Sequence, residues 1–240
     1  MSLGLKNLRH SSASASDTKV YLEVSEIAAC FCIYYPHEIS FEHLSSTTFS
    51  SKTFHCGFVQ YQIRLQFPPI HDRAAKSIRL YKCNCSTCQK MGFFHCRPIS
   101  PEEDFILISP TNLGELGDYR AFSKTNGWYF CKKCGVRVFG VAGKWEQTDI
   151  DVEQWAGSKD TGEGKQQPVL KTKSTTRTRN VNGEEITETY HYVSVNAVTL
   201  EPSEDIDLRM WYEKGWVLYM DCRDRKGQPR PAKPYEGGMY

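Results

Sequence analysis

Val59-Gln60-Tyr61-Gln62-Ile63-Arg64-Leu65-Gln66-Phe67 alternates apolar and polar residues without a break. Val59, Tyr61, Ile63, Leu65 and Phe67 fall on one side, and Gln60, Gln62, Arg64 and Gln66 on the other. A period of two predicts a strand with one buried face. Pro68-Pro69 ends it, because proline cannot donate to a ladder. Downstream, Ser77 to Lys82, Phe105 to Ser109, Tyr119 to Phe122, Trp128 to Cys131 and Val136 to Val141 read as further strands. Turn residues separate them: Pro110, Asn112, Gly114, Gly117, Asn126-Gly127 and Gly135. Residues 157–170 are polar and Gly-rich, a surface loop. Thr172 to Asn180 and Ile186 to Tyr192 flank Asn182-Gly183, a preferred centre for a type I′ hairpin turn. That turn sets Arg177 opposite Glu188. Val193 to Leu200 continues as a core strand. Ser203 is placed to cap a short helix over 204–214, ended by Gly215, and Trp216 to Met220 forms a last strand. Strands far outnumber helices, so the fold class is all-β with few short helices.

The flanks read differently. Ser and Thr dominate 11–18 and 45–53, and residues 1–53 are expected to be a poorly ordered extension, with a short helix or strand over 20–35. Residues 223–240 are Pro, Gly and charge, a surface tail. The domain therefore spans 54–222. The 240 residues are 40% hydrophobic and 24% charged, as in an ordinary globular protein, and 13 Tyr with 12 Phe favour strand. A net charge of +2 gives no global reason to expect nucleic acid or an anionic membrane as partner. The longest apolar run, Ile27 to Tyr35, is far short of the roughly 20 residues of a spanning helix. Residues 1–19 lack the apolar core of a secretory signal. Lys6 and Arg9 among serines give them a faint likeness to a mitochondrial presequence, and the expected compartment is the cytoplasm.

Ten cysteines without a secretory signal argue for metal rather than disulfides. Five sit in two tight clusters of metal-ligand type. Cys83-Asn84-Cys85-Ser86-Thr87-Cys88 offers three thiolates within six residues, and Cys131-Lys132-Lys133-Cys134-Gly135 is a Cys-x-x-Cys turn. Soft thiolates at such spacing favour zinc. Three protein ligands leave a coordination position free, which distinguishes a working zinc from a structural one. Two closed arrangements compete with that reading. Cys96 could supply a fourth sulfur to the trio, or Cys85, Cys88, Cys131 and Cys134 could form one zinc ribbon. Cys30, Cys32, Cys96 and Cys222 otherwise read as buried small hydrophobes.

His55-Cys56-Gly57-Phe58-Val59-x-Tyr61, then Cys83-x-Cys85-x-x-Cys88, then Phe130-Cys131-x-x-Cys134-Gly135 form an ordered ladder. It resembles the domain family shared by glutathione-dependent formaldehyde-activating enzymes and centromere protein V, from about Lys52 to Asp221. The Trp211-Tyr-Glu-Lys-Gly-Trp216 block and the ending Glu-Gly-Gly-Met-Tyr are similar to fungal members. The resemblance implies a zinc-pinned, β-sandwich-like "Mss-four-like" fold with one or two Zn2+ per chain. It implies a working site at Cys83, Cys85 and Cys88, and a structural site containing Cys56, Cys131 and Cys134. One departure stands out. The family's early pair reads Cys-x-Cys-Gly, and here Phe54 occupies the first position. His55, Cys30 or Cys32 are candidate replacements, or the residues upstream of His55 stand in place of the true start.

The activity so implied is a carbon–sulfur lyase reaction, the reversible addition of a thiol such as glutathione to formaldehyde or a small aldehyde. A three-thiolate zinc is a soft Lewis acid, better suited to holding a thiolate than to polarising a carbonyl. The partners are then a glutathione-like thiol and an aldehyde, with no nucleic acid and no membrane. His95 is close enough in sequence to approach the trio, although a lone histidine is more often structural. Lys90, Arg97 and Arg120 could meet glutathione carboxylates or be solvated surface charges. The rival class is a non-enzymatic zinc-stabilised binding or chaperone module.

Overall fold

The structure, a computed structural model, describes residues 47–53, 55–121, 124–157, 165–224 and 227–238. Everything described belongs to one compact unit, within Ile39–Tyr240. The element expected over 20–35, together with Cys30, Cys32 and Phe54, lies outside the described residues.

In chain order the strands and helices are β1 (Thr47–Thr53), β2 (Gln60–Gln66), β3 (Arg79–Cys83), α1 (Ser86–Met91), β4 (Phe94–Arg97), β5 (Phe105–Ser109), β6 (Leu116–Arg120), β7 (Gly127–Cys131) and β8 (Arg137–Ala142). They continue as β9 (Lys144–Asp151), α2 (Val152–Trp155), β10 (Gln166–Lys173), β11 (Thr175–Val181), β12 (Glu184–Tyr190), β13 (Tyr192–Asn196), α3 (Leu208–Glu213), β14 (Leu218–Met220) and β15 (Arg230–Pro231). One sheet runs β1-β2-β5-β10-β9 and a second runs β15-β14-β3-β4-β13-β8-β7-β6. The two contribute to one core. Tyr61, Ile63, Leu65 and Phe105 of the first sheet and Leu80, Cys96, Phe139 and Val195 of the second join a single buried cluster. The Tyr61 and Phe139 rings meet edge-on at 6.2 Å across it. The all-β reading is thus observed, as two sheets face to face.

The apolar side of the opening stretch is buried throughout, from 0% exposure at Val59 to 3% at Phe67. The β11–β12 hairpin has its predicted register, with Arg177 opposite Glu188 and the pair bridged at 2.6 Å. Asn182 and Gly183 both take positive φ, as a type I′ turn needs.

Other expectations shift. Thr47–Thr53, read as part of the extension, pairs antiparallel with β2 along its whole length. The helix expected from a Ser203 cap begins later. Ser203 instead closes a turn with Ile206, and Asp207 caps α3 by accepting from the N–H groups of Arg209 and Met210. The tail is more than surface. β15 pairs with β14, and Tyr235 packs against the core.

Trp211 on α3 is fully buried, with Phe67 at 5.5 Å and Phe94 at 6.0 Å between ring centroids. Its indole N–H donates to the Asp205 carbonyl at 2.7 Å. Trp211→Ala is expected to cost about 3–5 kcal/mol, through lost burial and the cavity left behind, read as a lower urea midpoint at unchanged slope. No helix among the described residues is long and apolar enough to cross a membrane.

Candidate metal centre and pocket

The trio is built by a strand–helix–strand turn. Cys83 ends β3, Cys85 is the N-cap of α1, and Cys88 lies in its first turn. The cap is made by sulfur: Cys85 Sγ accepts from the Cys88 N–H at 3.4 Å, while Cys83 Sγ accepts from the Cys85 N–H at 3.4 Å. Gly92 at φ 62 ends the helix in the left-handed conformation, and the Phe93 N–H reaches back to the Cys88 carbonyl at 2.9 Å. That reversal lays β4 antiparallel to β3, with His95 opposite Tyr81.

Alternation along β4 then separates two neighbours. His95 faces the trio, its Nε2 3.2 Å from Cys88 Sγ, whereas Cys96 is fully buried in the main core. Cys96 therefore belongs to the core and not to the trio. The sulfurs of Cys83, Cys85 and Cys88 lie within 4.8 Å of one another, and so do those of Cys56, Cys131 and Cys134. The sulfurs thus fall into these two groups, and the single ribbon of Cys85, Cys88, Cys131 and Cys134 is not the arrangement found.

In the second group, Cys131 ends β7 and Cys134 lies on the turn into β8. Gly135 at φ 76 lets its N–H reach the Cys131 carbonyl at 2.8 Å. Cys56, just before β2, brings its sulfur to 3.5 Å from that of Cys131. Tetrahedral zinc with bonds of about 2.3 Å needs sulfurs roughly 3.8 Å apart, so both groups fit such an ion. Cys56 has two sulfur companions, Cys131 and Cys134, and Phe54 is not among the described residues.

Electrostatics points the same way. Hydrogen bonds from the Cys83 and Cys88 thiols, reinforced by backbone N–H groups, hold the Cys85 thiol far below its usual range. Cys83 is pushed up by its hydrogen bonds to Cys222, Cys85 and Cys88 and by burial. At Cys88, the bond to Cys83 lowers the pKa, but the bond to Cys85 and burial outweigh it and raise the thiol. These hydrogen bonds favour ionisation at Cys85 over its two neighbours, since adjacent thiolates repel one another. Burial pulls His95 down to about 3, so the ring is neutral at pH 7. Its Nδ1 has two hydroxyl neighbours, Ser194 Oγ and the Tyr192 hydroxyl, each at 3.0 Å. Tyr81 stacks on the imidazole at 4.2 Å and its hydroxyl meets that of Tyr192 at 2.9 Å.

Cys83, Cys88 and His95 open onto a pocket of about 600 Å³. Trp128, Met220 and Tyr192 line it, as do Gln228, Pro229 and Pro231 of the segment expected to be a tail. Cys222, expected buried, is exposed and lines the pocket too. No Asp or Glu is among the pocket's lining residues, while Arg73, Arg79 and Arg97 are. Arg79 is engaged in structure, donating to the carbonyls of Ile70, Asp72, Arg73 and Ala75. Arg97 lies over the Tyr192 ring at 4.7 Å, with its Nε buried and unpartnered. Arg120 is instead paired with Asp118 at 2.8 Å, and Lys90 is exposed on α1; neither lines the pocket. Sequence reading missed Tyr81, Trp128, Tyr192 and Cys222, which only strand pairing brings to the trio.

Fold and site together define a mainly β protein with two cysteine triads able to hold metal ions. No family model and no curated protein matches the chain. Among solved structures, a Rhodobacter sphaeroides protein from a structural genomics programme is similar at 18% identity, over 71% of this chain and 99% of that one, with a TM-score of 0.35.

Proposed function

We propose that the protein is a zinc-dependent carbon–sulfur lyase of the formaldehyde-activating type, with the trio as its working site. The observation that carries this reading is a compact group of three sulfurs, two of them opening into a pocket large enough for a small thiol. The ladder of cysteine motifs supports membership in the formaldehyde-activating and centromere protein V family. Cys56, Cys131 and Cys134 are then the ligands of a structural ion.

Zinc held by Cys83, Cys85 and Cys88 would keep an incoming thiol ionised near neutral pH. The net reaction joins the thiol sulfur to the aldehyde carbon, and the thiol proton ends on the new hydroxyl oxygen. The chain's own residues arrange the surroundings. With Cys88 ionised, neutral His95 donates from Nε2 to the sulfur and accepts at Nδ1 from Tyr192 or Ser194. Trp128, Phe93 and Met220 pack around the sulfurs and limit water. Arg97 supplies a cation for a carboxylate of the thiol, in a wall without acids.

The test is the rate of formaldehyde adduct formation with glutathione and with an uncharged thiol such as 2-mercaptoethanol. Purified protein should accelerate both. Arg97→Gln should raise KM for glutathione by roughly tenfold or more, the worth of a hydrogen bond to a charged group, and leave the uncharged thiol unaffected. Absence of turnover with either thiol would remove the lyase reading in favour of a zinc-stabilised binding module.

A further inference from the structure

Asn84 sits between two cysteines of the trio, yet its hydrogen bonds run elsewhere. The residue is 3% exposed. Its Oδ1 accepts from the N–H groups of Cys222 at 2.8 Å and Arg223 at 2.9 Å, and its Nδ2 donates to Asp221 Oδ1 at 2.7 Å. Its backbone N–H donates to the Met220 carbonyl at 3.2 Å. All these contacts go to one stretch, residues 220–223. The parallel pairing of β14 with β3, Met220 opposite Cys83, begins the same alignment. A buried amide is costly unless bonded, and here its bonding fixes the backbone of a thiol residue. The Cys222 side chain consequently hydrogen-bonds to Cys83 and lines the pocket alongside Cys83 and Cys88. Cys222 is exposed and stands outside the close group of three sulfurs.

We propose that Cys222 is a fourth, exchangeable sulfur of the trio's metal site, released when a small thiol enters the pocket. The proposal rests on the reading of the trio as a metal site that handles thiols. Three sulfurs would leave one tetrahedral position to fill, and Cys222 is the thiol whose backbone Asn84 anchors beside the trio. Its solvent-facing position lets it leave without disturbing the buried Cys83 and Cys88. In the exchange, the entering thiol gives its proton to the departing Cys222 sulfur, so the charge at the site is unchanged.

Cobalt(II) is the probe, loaded into the full chain of wild type and Cys222→Ser, with sulfur-to-cobalt charge-transfer absorption as the readout. Both proteins should take up the same number of ions. The variant should lose the intensity of one thiolate at the trio and regain it when 2-mercaptoethanol is added. It should also surrender cobalt to a chelator at least roughly tenfold faster, since even outer partners of a metal site are worth about 10–100-fold in affinity. Circular dichroism checks that the exposed substitution leaves the fold intact. Wild-type intensity and wild-type chelator release in Cys222→Ser would overturn the proposal while leaving the metal reading standing. A wild type that loads cobalt only at Cys56, Cys131 and Cys134 would overturn both, and it shows itself before any variant is made.

Discussion

Cys85→Ser should drop metal content by one ion per chain and reduce thiol–aldehyde turnover to the uncatalysed rate. Serine is the informative replacement because it preserves the other job of this residue. Cys85 caps α1, and losing a cap altogether costs about 1 kcal/mol. A serine oxygen still accepts the Cys88 N–H but is a poor ligand for a soft-sulfur site. Loss of metal and turnover therefore reports ligation and not a frayed helix. The sulfur on which the trio's hydrogen bonds converge is Cys85, so its removal takes away the best thiolate of the three. The surrounding strands are held by Leu80 and Cys96 in the main core, independently of the trio. Elemental analysis, adduct assay and thermal melting on one preparation decide it. Full turnover in Cys85→Ser would remove the trio from the chemistry.

The opposite pattern is expected of Cys131→Ser. That sulfur is 0% exposed, ends β7, and joins the β7–β8 turn to the segment leading into β2. Those strands belong to different sheets, so an ion at this group ties the two layers together. Removing Cys131 leaves two sulfurs and puts a hydroxyl into apolar surroundings. A loss of about 3–5 kcal/mol is expected, since metal-binding energy at a structural site is folding energy. For a domain of this size that lowers the thermal midpoint by roughly 6–20 °C. Chelation of the wild type should lower the midpoint comparably, while Cys85→Ser shifts it by far less. Equal destabilisation by both variants would contradict the division into one working and one structural group.

Much of this was legible from residues that carry their own context. The β2 stretch shows alternating apolar and polar residues, the pattern of a strand with one face on a core. Asn182-Gly183 defined the hairpin register because positive φ at both positions admits few alternatives. Within each cysteine group the local spacing was readable, while the grouping of Cys56 with Cys131 and Cys134 was implied only by the family resemblance.

What escaped depends on distant pairing. β1 is Ser- and Thr-rich, and it is a strand because β2 offers it a complete partner. β4 has too few residues to show a period, and three of its four are buried because both faces are covered. β9 is polar along most of its length and reads as loop until β10 pairs with it. Cys222 looked like a lone buried thiol, since nothing near it in sequence points to the trio. Its place follows from the β14–β3 pairing and the Asn84 amide.

The two cysteine groups differ in how much chain must be gathered to form them. The trio's backbone-to-sulfur contacts join residues two and three apart, whereas the Cys56–Cys131 approach closes a separation of 75. Loop-closure entropy grows with the logarithm of that separation, a handicap of roughly 3 kcal/mol for the wider ring. On partial denaturation the wider ring should open first, leaving the short hexapeptide still able to grip a cation. Release of ions loaded at both groups is therefore expected in two stages during unfolding, the interlayer group emptying before the trio.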